Sequence, residues 1–335
     1  MRHLAGQNKT MSNPDLITLQ IPPHMAGQRL DQGLAALVQD YSRARLQQWI
    51  KAGKVRVDGK VLRPKDKLYG NETVIVEVEH EAVVDWQAED IPVEIIFEDE
   101  AILVINKPAG MVVHPAVGNE NGTLVNGLLH HAPELAEVPR SGIIHRLDKD
   151  TTGLLVVART PTAHKVLVER LQAREVKREY EAVVSGVMTA GGTVDAPMGR
   201  HPVNRKNMAV LVSGGKHAVT HYRVEQRFRA HTHIRVQLET GRTHQIRVHM
   251  AHIRYPLVGD QVYGGRLKLP PQCSDELTTM LRTFKRQALH AARLGFLHPL
   301  SNEPVEWSAD LPGDMQSLLC ALSDDNEAHV DDSYE

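Results

Sequence analysis

The chain has 335 residues, of which 41% are hydrophobic and 24% are charged; this excludes a wholly disordered protein and suits about two globular domains. Two cysteines are too few for a disulfide framework or a cysteine-rich zinc site. Because no apolar run reaches the roughly 18 residues of a membrane span and the start, MRHLAGQNKT, lacks a secretory signal, we expect a cytoplasmic protein with no membrane partner.

The first part of the chain predicts a small domain over residues 20–82, preceded by a flexible polar lead over 1–19. Apolar residues at helical spacing indicate a first helix over 30–38. The hydroxyl of Ser42 can cap a second helix, and Gly53 suits the left-handed turn that ends a helix. Two short helices therefore open this domain.

Strands follow the two helices. In the stretch KVRVDGKVL, valines alternate with basic residues, and Asp58-Gly59 supplies the positive φ angles of a tight hairpin turn. Residues 72–78 alternate again, which predicts one more strand.

Positive charge is concentrated in this domain, although the formal net charge of the chain is −2. Residues 28–67 contain 10 Lys and Arg against 4 Asp and Glu, whereas residues 68–104 contain 11 acidic residues and no Lys or Arg. This distribution favours a protein that binds a polyanion through selected faces, the alternative being a charge spread over a solvated surface.

The stretch RLDQGLAALVQDYSRARLQQWIKAGKVRVDGK resembles the S4 RNA-binding domain, in which two helices and a hairpin present a basic face to structured RNA. A solvated accessory domain without a partner is the alternative. The resemblance implies that phosphates are contacted by Arg29, Arg43, Arg45, Lys51, Lys54, Arg56, Arg63 and Lys65.

A linker, a larger domain and a tail follow. Residues 83–92 are acidic and turn-prone, residues 93–312 carry most of the remaining apolar pattern, and residues 313–335 are acidic. The tail is either a disordered solubilising extension or an ordered cover over a basic face, and the sequence does not choose between them.

The sequence of the larger domain predicts an α+β fold with a mixed, mainly antiparallel sheet and flanking helices. EIIFEDEAILVINKPAG contains two β-prone runs, HIRVQLE alternates near residue 236, and helices are expected over 124–130 and 162–173. Strands without regular β-α-β alternation favour this class. No GxGxxG or GxxxxGKS sequence occurs, so we expect no nucleotide cofactor.

The densest candidate site is GIIHRLDKDTTGLLVVA, residues 142–158. Two apolar stretches flank a charged turn with Asp148 and Asp150, and a strand-turn-strand arrangement would hold the turn rigidly at a sheet end. An ordinary polar turn is the alternative.

Two further clusters carry reactive side chains. In REVKREYEAVV, Tyr180 opens a strand after a basic run. In LETGRTHQIRVHMAH, Gln245 and Arg247 are expected on one strand face, with Ile246 and Val248 on the other.

Three histidines of the last cluster, His244, His249 and His252, also raise the hypothesis of a zinc hydrolase. No HExxH or CxxC accompanies them, and a chain with 19 histidines groups some of them by chance. We therefore expect no metal site.

The blocks INKPAGMVVHP, HRLDKDTTG, KREYEAVV and TGRTHQIRVHM, in this order and spacing, resemble the RluA family of pseudouridine synthases over residues 20–310. The resemblance implies that Asp148 is the catalytic aspartate, Tyr180 the active-site tyrosine and Arg247 the basic partner of Asp148. A guanidinium favours the charged form of a carboxylate and can fix its orientation.

The same resemblance implies a reaction and a substrate: uridines of 23S ribosomal RNA, in the helix 69 region, become pseudouridine after each nucleotide is flipped out of the RNA. Arg146 would fill the vacated space or hold the displaced backbone, with His145 assisting. We expect a monomer that needs no cofactor. A non-catalytic RNA-binding factor of ribosome assembly is the alternative function.

Overall fold

The computed structural model describes residues 15–38, 41, 43–78, 86–116 and 118–330. The chain divides into two compact units, one on each side of the boundary between Val84 and Asp85. Within the described ranges, no helix is long and apolar enough to cross a membrane.

The first unit is a four-stranded antiparallel sheet with two helices. Its strands lie in the order β1-β4-β2-β3. Apolar faces of both helices pack on the sheet, as expected from their spacing. The elements are β1 (Asp15–Gln20), α1 (Leu30–Leu37), α2 (Arg43–Lys51), β2 (Val55–Val57), β3 (Lys60–Val61) and β4 (Thr73–Val78).

Local turn chemistry in this unit follows the sequence. Gly53 has φ 74°, and Asp58 and Gly59 have φ 46° and 77°, which are the left-handed values that the predicted turns need. Ser42 lies outside the described residues. Strand β1 begins at Asp15, inside the segment expected to be a flexible lead, because pairing with β4 satisfies its backbone groups.

Asp31 is the buried charge of the first unit. Its carboxylate accepts hydrogen bonds from Arg43 Nη2 at 2.7 Å, Arg29 Nε at 2.9 Å and Gln47 Nε2 at 2.5 Å. Burial disfavours the charged form, but these hydrogen bonds outweigh burial and lower the pKa of Asp31 to about 2. Asp31 therefore ties the start of α2 to α1.

We expect Asp31→Asn to lower the free energy of unfolding of this unit by about 2–3 kcal/mol, since two guanidinium groups lose a buried partner. In the wild type, this contribution is present above pH about 4 and is lost as the pH falls toward 2. Hydrogen exchange of the α1 and α2 amides measures it; exchange unchanged by the substitution would contradict the assignment.

The second unit is built on one large sheet. Among its described residues, nine strands lie in the order β5-β6-β7-β14-β8-β13-β12-β9, with β15 paired to β14. Only β7 and β14 pair in parallel among these neighbours, which confirms the mixed, mainly antiparallel sheet. Strands β10 and β11 pair in a separate two-stranded antiparallel sheet. The strands of the unit are β5 (Glu94–Glu98), β6 (Ile102–Lys107), β7 (Thr152–Ala158), β8 (Lys177–Ser185), β9 (Gly192–Asp195), β10 (Met198–Arg200), β11 (Met208–Val210), β12 (Val219–Arg227), β13 (His231–Leu238), β14 (Leu289–Leu297) and β15 (Pro304–Ser308).

Helices cover the sheet. The predicted helices at 124–130 and 162–173 are confirmed within one residue at each end. Strand β7 is buried along its whole length, because α3 packs on one face of the sheet and α4 on the other. The helices are α3 (Leu124–His131), α4 (Pro161–Gln172), α5 (Gln245–His252), α6 (Asp275–Thr283) and α7 (Gly313–Val330).

Two local predictions in this unit are wrong. Residues 142–147 do not form the first strand of a strand-turn-strand; only Ile143 makes a single bridge, to Val157. Residues 245–252 are helix α5 rather than a strand. Residues 245–250 are all buried although three of them are polar. Burial in this short helix therefore does not follow polarity, and its helical period cannot be read from hydrophobicity.

Most of the acidic tail is ordered. Residues 313–330 form α7, which buries Met315, Leu318 and Leu322 against an apolar cluster that includes α6. The disordered alternative therefore does not hold for these residues. Residues 86–92, the described part of the expected linker, are neither helix nor strand, and the domain boundaries stay a prediction.

Candidate active site

Asp148 lies in a charged turn immediately before β7. Its side chain is 17% exposed, and its Oδ2 accepts a hydrogen bond from Arg247 Nη1 at 3.0 Å. The two residues are 99 positions apart in the chain and come from the turn and from α5. The structure therefore brings together the predicted aspartate and its predicted basic partner.

Arg247 is held from its other side by Asp260. Its Nε and Nη2 donate to Asp260 Oδ2 and Oδ1 at 2.7 and 2.9 Å, a bidentate geometry that fixes the guanidinium plane. Burial alone would lower the pKa of Arg247, but Asp260 and Asp148 raise it above its ordinary value. Arg247 thus remains a cation that presents one N–H to Asp148.

Asp260 is itself fixed by the backbone. Its Oδ1 accepts from the N–H groups of Val262 and Tyr263 at 2.8 and 3.0 Å. Burial opposes its charge, yet the hydrogen bonds from Arg247 prevail and lower the pKa of Asp260. Gly259 has φ 75°, and a Cβ there would lie 2.2 Å from the carbonyl oxygen of Arg286, so this turn requires glycine.

His244 and Tyr263 contact each other and lie beside Asp148 and Arg247, respectively. His244 Nε2 lies 3.8 Å from Asp148 Oδ1, and its Nδ1 contacts Tyr263 Oη at 2.8 Å. The guanidinium carbon of Arg247 lies 5.0 Å from the centroid of the Tyr263 ring. Burial lowers the pKa of His244 against the opposing charge of Asp148, which favours a neutral imidazole beside the carboxylate.

The turn that carries Asp148 is held by Lys107. This fully buried ammonium donates to the carbonyl oxygens of Pro108, Met111 and Lys149 at 2.7, 3.0 and 2.9 Å. Burial lowers its pKa to about 8, and Asp150 and Asp148 oppose that shift. Lys107 therefore joins the end of β6 to the turn.

Arg286 and Gln287 support the turn from the side of β14. Arg286 Nη1 donates to the carbonyl oxygen of Asp150 at 3.3 Å, and its Nε and Nη2 donate to Asp314 of α7 at 2.6 Å each. Gln287 Nε2 donates to Thr151 Oγ1 at 3.0 Å. Part of the acidic tail thus contributes to fixing the turn.

Asp148 opens into a cleft of about 520 Å³ that Tyr180 also lines. The Tyr180 ring is buried, and burial raises the pKa of its hydroxyl. Among the described residues, that hydroxyl has no hydrogen-bond partner. Five guanidinium groups line the same cleft: Arg140, Arg146, Arg174, Arg178 and Arg242. The cleft combines a carboxylate, an aromatic ring and a positive rim.

The two expected RNA-contacting residues near Asp148 in the sequence differ in their exposure to solvent. Arg146 is exposed at the rim. His145 is nine-tenths buried, and Val156 N–H donates to its Nε2 at a long 3.4 Å. Burial lowers the pKa of His145 to about 3, with the charge of Arg178 adding to the effect. His145 is therefore neutral, and its RNA contact stays a prediction.

The three histidines of the zinc hypothesis do not converge. His249 is buried on α5 with its two ring nitrogens bonded to Thr220 Oγ1 and the Ala196 carbonyl oxygen, and His244 is bonded to Tyr263. In the described ranges, no three metal-ligating side chains form a group that could hold an ion. The geometry gives the zinc hydrolase hypothesis no support.

The basic residues of the first unit have unequal surroundings. Arg29 and Arg43 are bound to Asp31, Arg63 pairs with Asp66 at 3.2 Å, and Arg45 lies 5.3 Å from the Trp49 ring centroid. Lys51, Arg56 and Lys65 are exposed and Lys54 is half-buried. Their RNA contacts stay a prediction.

Sequence reasoning gave no role to Lys107, Asp260, Tyr263 or Arg286. One signal was available for Lys107: it continues the alternation of Leu103 and Ile105, which are buried. A lysine at a position of the core face is unusual and needs several acceptors. Asp260 and Arg286 lie in irregular segments and carry no comparable signal.

Residues 101–252 match the family model of RNA pseudouridylate synthase, and residues 28–74 match the S4 domain. These matches define the class of protein, an RNA pseudouridine synthase with an S4 RNA-binding domain. A solved human structure, RNA Pseudouridylate Synthase Domain Containing 4, is 26% identical and has a TM-score of 0.53 over 69% of this chain and 93% of its own.

Two curated relatives are named ribosomal large subunit pseudouridine synthase D. The Pseudomonas aeruginosa protein is 58% identical over 93% of this chain and 97% of its own length, and the Xanthomonas campestris protein is 55% identical over 96% and 97%. The chain belongs to the pseudouridine synthase family of these relatives. This confirms the predicted enzyme over the non-catalytic alternative.

We expect Asp260→Asn to destabilise the second unit by about 3 kcal/mol, because Arg247 keeps a buried charge with no bidentate carboxylate. Pseudouridine formation should also fall, since Arg247 no longer orients Asp148. Thermal unfolding and turnover of the purified variant measure both effects, with the exposed Asp195→Asn as the matched control. An Asp260→Asn protein with wild-type stability and turnover would contradict this role.

Proposed function

We propose that this chain converts uridines of 23S ribosomal RNA, in the helix 69 region, to pseudouridine with Asp148 as the catalytic carboxylate. The names of the relatives support the large-subunit substrate, and the helix 69 region is what the likeness to these relatives implies. The cytoplasm, where ribosomal RNA is modified, is the corresponding location.

One observation carries the catalytic assignment: the Asp148 carboxylate reaches the cleft while Arg247 holds it at 3.0 Å. The reaction breaks the bond between the sugar C1′ and the base N1, rotates the base, and joins C1′ to C5. The C5 proton then leaves, and N1 gains one, so that atoms balance without an oxidant or a reductant. An ionised carboxylate starts this sequence by attacking the sugar or the base, or by stabilising a cationic sugar.

The surroundings of Asp148 hold its carboxylate in place for the reaction. Arg247 and the neutral His244 lie against its two oxygens, so the carboxylate has a fixed orientation before the substrate arrives. Because the buried Asp260 fixes Arg247, substrate binding does not require reorganisation of this charge.

Tyr180 is the proposed platform for the flipped base. Its ring lines the cleft beside Asp148, and a uracil stacked on an aromatic face gains about 1–3 kcal/mol. The raised pKa keeps the hydroxyl protonated at neutral pH, so it can donate a hydrogen bond to a base oxygen or nitrogen while the base rotates.

The positive rim and the first unit supply affinity for the RNA. Flipping a nucleotide costs a few kcal/mol, which phosphate contacts have to offset. Arg146 lies next to the catalytic turn and can either fill the space that the nucleotide leaves or hold the displaced backbone. The S4 unit would bind the RNA mainly by its shape and its phosphates.

We expect Asp148→Asn to abolish pseudouridine formation, by at least about a thousandfold, while RNA binding and folding persist, since the change removes charge but little volume. The measurement maps pseudouridines in 23S ribosomal RNA from cells that lack this protein and carry the wild type, Asp148→Asn or the exposed control Asp310→Asn. Sites should reappear with the wild type and the control only. Full modification in cells without the protein, or in cells with Asp148→Asn, would overturn the proposal.

A further inference from the structure

Two arginines that line the cleft lack counter-charges. Arg140 and Arg146 both line the cleft and are exposed. Among the described residues, neither forms an ion pair; of the other arginines that line the cleft, Arg174 pairs with Glu239, and Arg178 and Arg242 form no ion pair. Two neighbouring cations repel each other, and a bound anion would offset this repulsion.

The backbone that carries Arg140 is unusual. Arg140, Ser141 and Gly142 are three successive residues in the left-handed region, with φ 56°, 49° and 79°. A Cβ on Gly142 would lie 2.0 Å from the carbonyl oxygen of Ala158, so this turn is pressed against β7. Residues other than glycine adopt this conformation where the surrounding structure forces it, and such sites often bind ligands.

One imidazole borders the same turn, and a second is affected by its charges. His164 lies on α4, which packs against the 139–142 turn. The charges of Arg140 and Arg146 act on His114, whose ring lies 5.2 Å from that of Trp86. The Nε2 atoms of His114 and His164 are both buried and have no hydrogen-bond partner among the described residues. Buried polar atoms in proteins are usually paired, so these two ring nitrogens favour a ligand that supplies acceptors.

The charges of the turn act on both imidazoles. Burial is the main cause that lowers the pKa of His114 to about 4, and Arg140 and Arg146 lower it further. Burial and Arg140 likewise lower the pKa of His164. Both rings are therefore neutral at pH 7 and each can donate one N–H, so the positive charge of this region resides on the two arginines.

We propose that Arg140 and Arg146, with His164 beside them, form a phosphate-binding subsite that holds an RNA backbone phosphate adjacent to the nucleotide entering the cleft. This inference rests on the proposed function. A phosphodiester has two non-bridging oxygens that match guanidinium donors, and it supplies the negative charge that the two arginines lack. The subsite would set the register of the RNA, so that one uridine reaches Asp148.

The test uses single-turnover conversion of a transcribed 23S ribosomal RNA fragment containing helix 69. Arg140→Asn removes the charge and keeps a residue that tolerates the left-handed backbone. We expect the RNA concentration for half-maximal rate to rise about tenfold, and its logarithmic dependence on salt to weaken by about 0.7. The maximal rate should change little, since Asp148 and Arg247 are untouched.

A second and a third variant separate charge from structure. Arg146→Gln, at a residue with ordinary backbone angles, should weaken the salt dependence in the same way. If Arg140→Asn does not fold, this variant alone tests the phosphate contact. His164→Gln should raise the half-maximal concentration without changing the salt dependence, because a neutral donor displaces no counterions. The exposed Arg282→Gln on α6 is the control and should match the wild type.

A change in the RNA completes the test. In a chemically synthesised fragment, each phosphate adjacent to the modified uridine is replaced in turn by an uncharged methylphosphonate; for the phosphate that occupies the subsite, the wild type and Arg140→Asn should then have equal half-maximal concentrations. Folded Arg140→Asn and Arg146→Gln proteins with wild-type concentrations and salt dependence would overturn the subsite. A wild-type protein that forms no pseudouridine in the fragment would instead overturn the proposed function, so the two failures are distinguishable.

Discussion

The guanidinium of Arg247 joins two carboxylates, Asp148 at 3.0 Å and Asp260 at 2.7 Å. The first carboxylate faces a cleft and the second is fully buried. Because the buried partner accepts from both Nε and Nη2, the Nη1 group that donates to Asp148 has a fixed direction. Asp148 is therefore oriented by a charge that is anchored in the interior rather than by a mobile surface residue.

Several distant segments converge to maintain this arrangement. Lys107 at the end of β6 binds the turn through backbone carbonyls, and Arg286 connects the turn to α7. These donors contact main-chain oxygens, so they position the turn without competing for the Asp148 side chain. In the same unit, Arg140 and Arg146 line the cleft without an ion pair among the described residues, and an RNA phosphate would supply the missing negative charge. The cleft therefore combines a rigidly held carboxylate with cations that are free to bind RNA.

The sequence was informative where the signal is local or belongs to a motif. Turn residues such as Gly53 and Asp58, the alternation of β13, and the pairing of Asp148 with Arg247 were all predictable. The helical state of α5 was not, because burial on all sides removes its periodicity. Asp260 and Arg286 were also missed, since contacts of irregular segments across the fold leave no pattern in the chain. Domain boundaries and the RNA contacts of the basic unit stay predictions.

The most direct measurement of the central claim is a crystal structure of the Asp148→Asn protein bound to an RNA containing helix 69. The account predicts a flipped uridine in the cleft, its base stacked on Tyr180, and an atom of residue 148 within about 3.5 Å of the sugar C1′ or the uracil ring. Arg247 should remain bound to Asp260. A uridine still stacked in the RNA, or held in the cleft beyond contact with residue 148, would contradict the account.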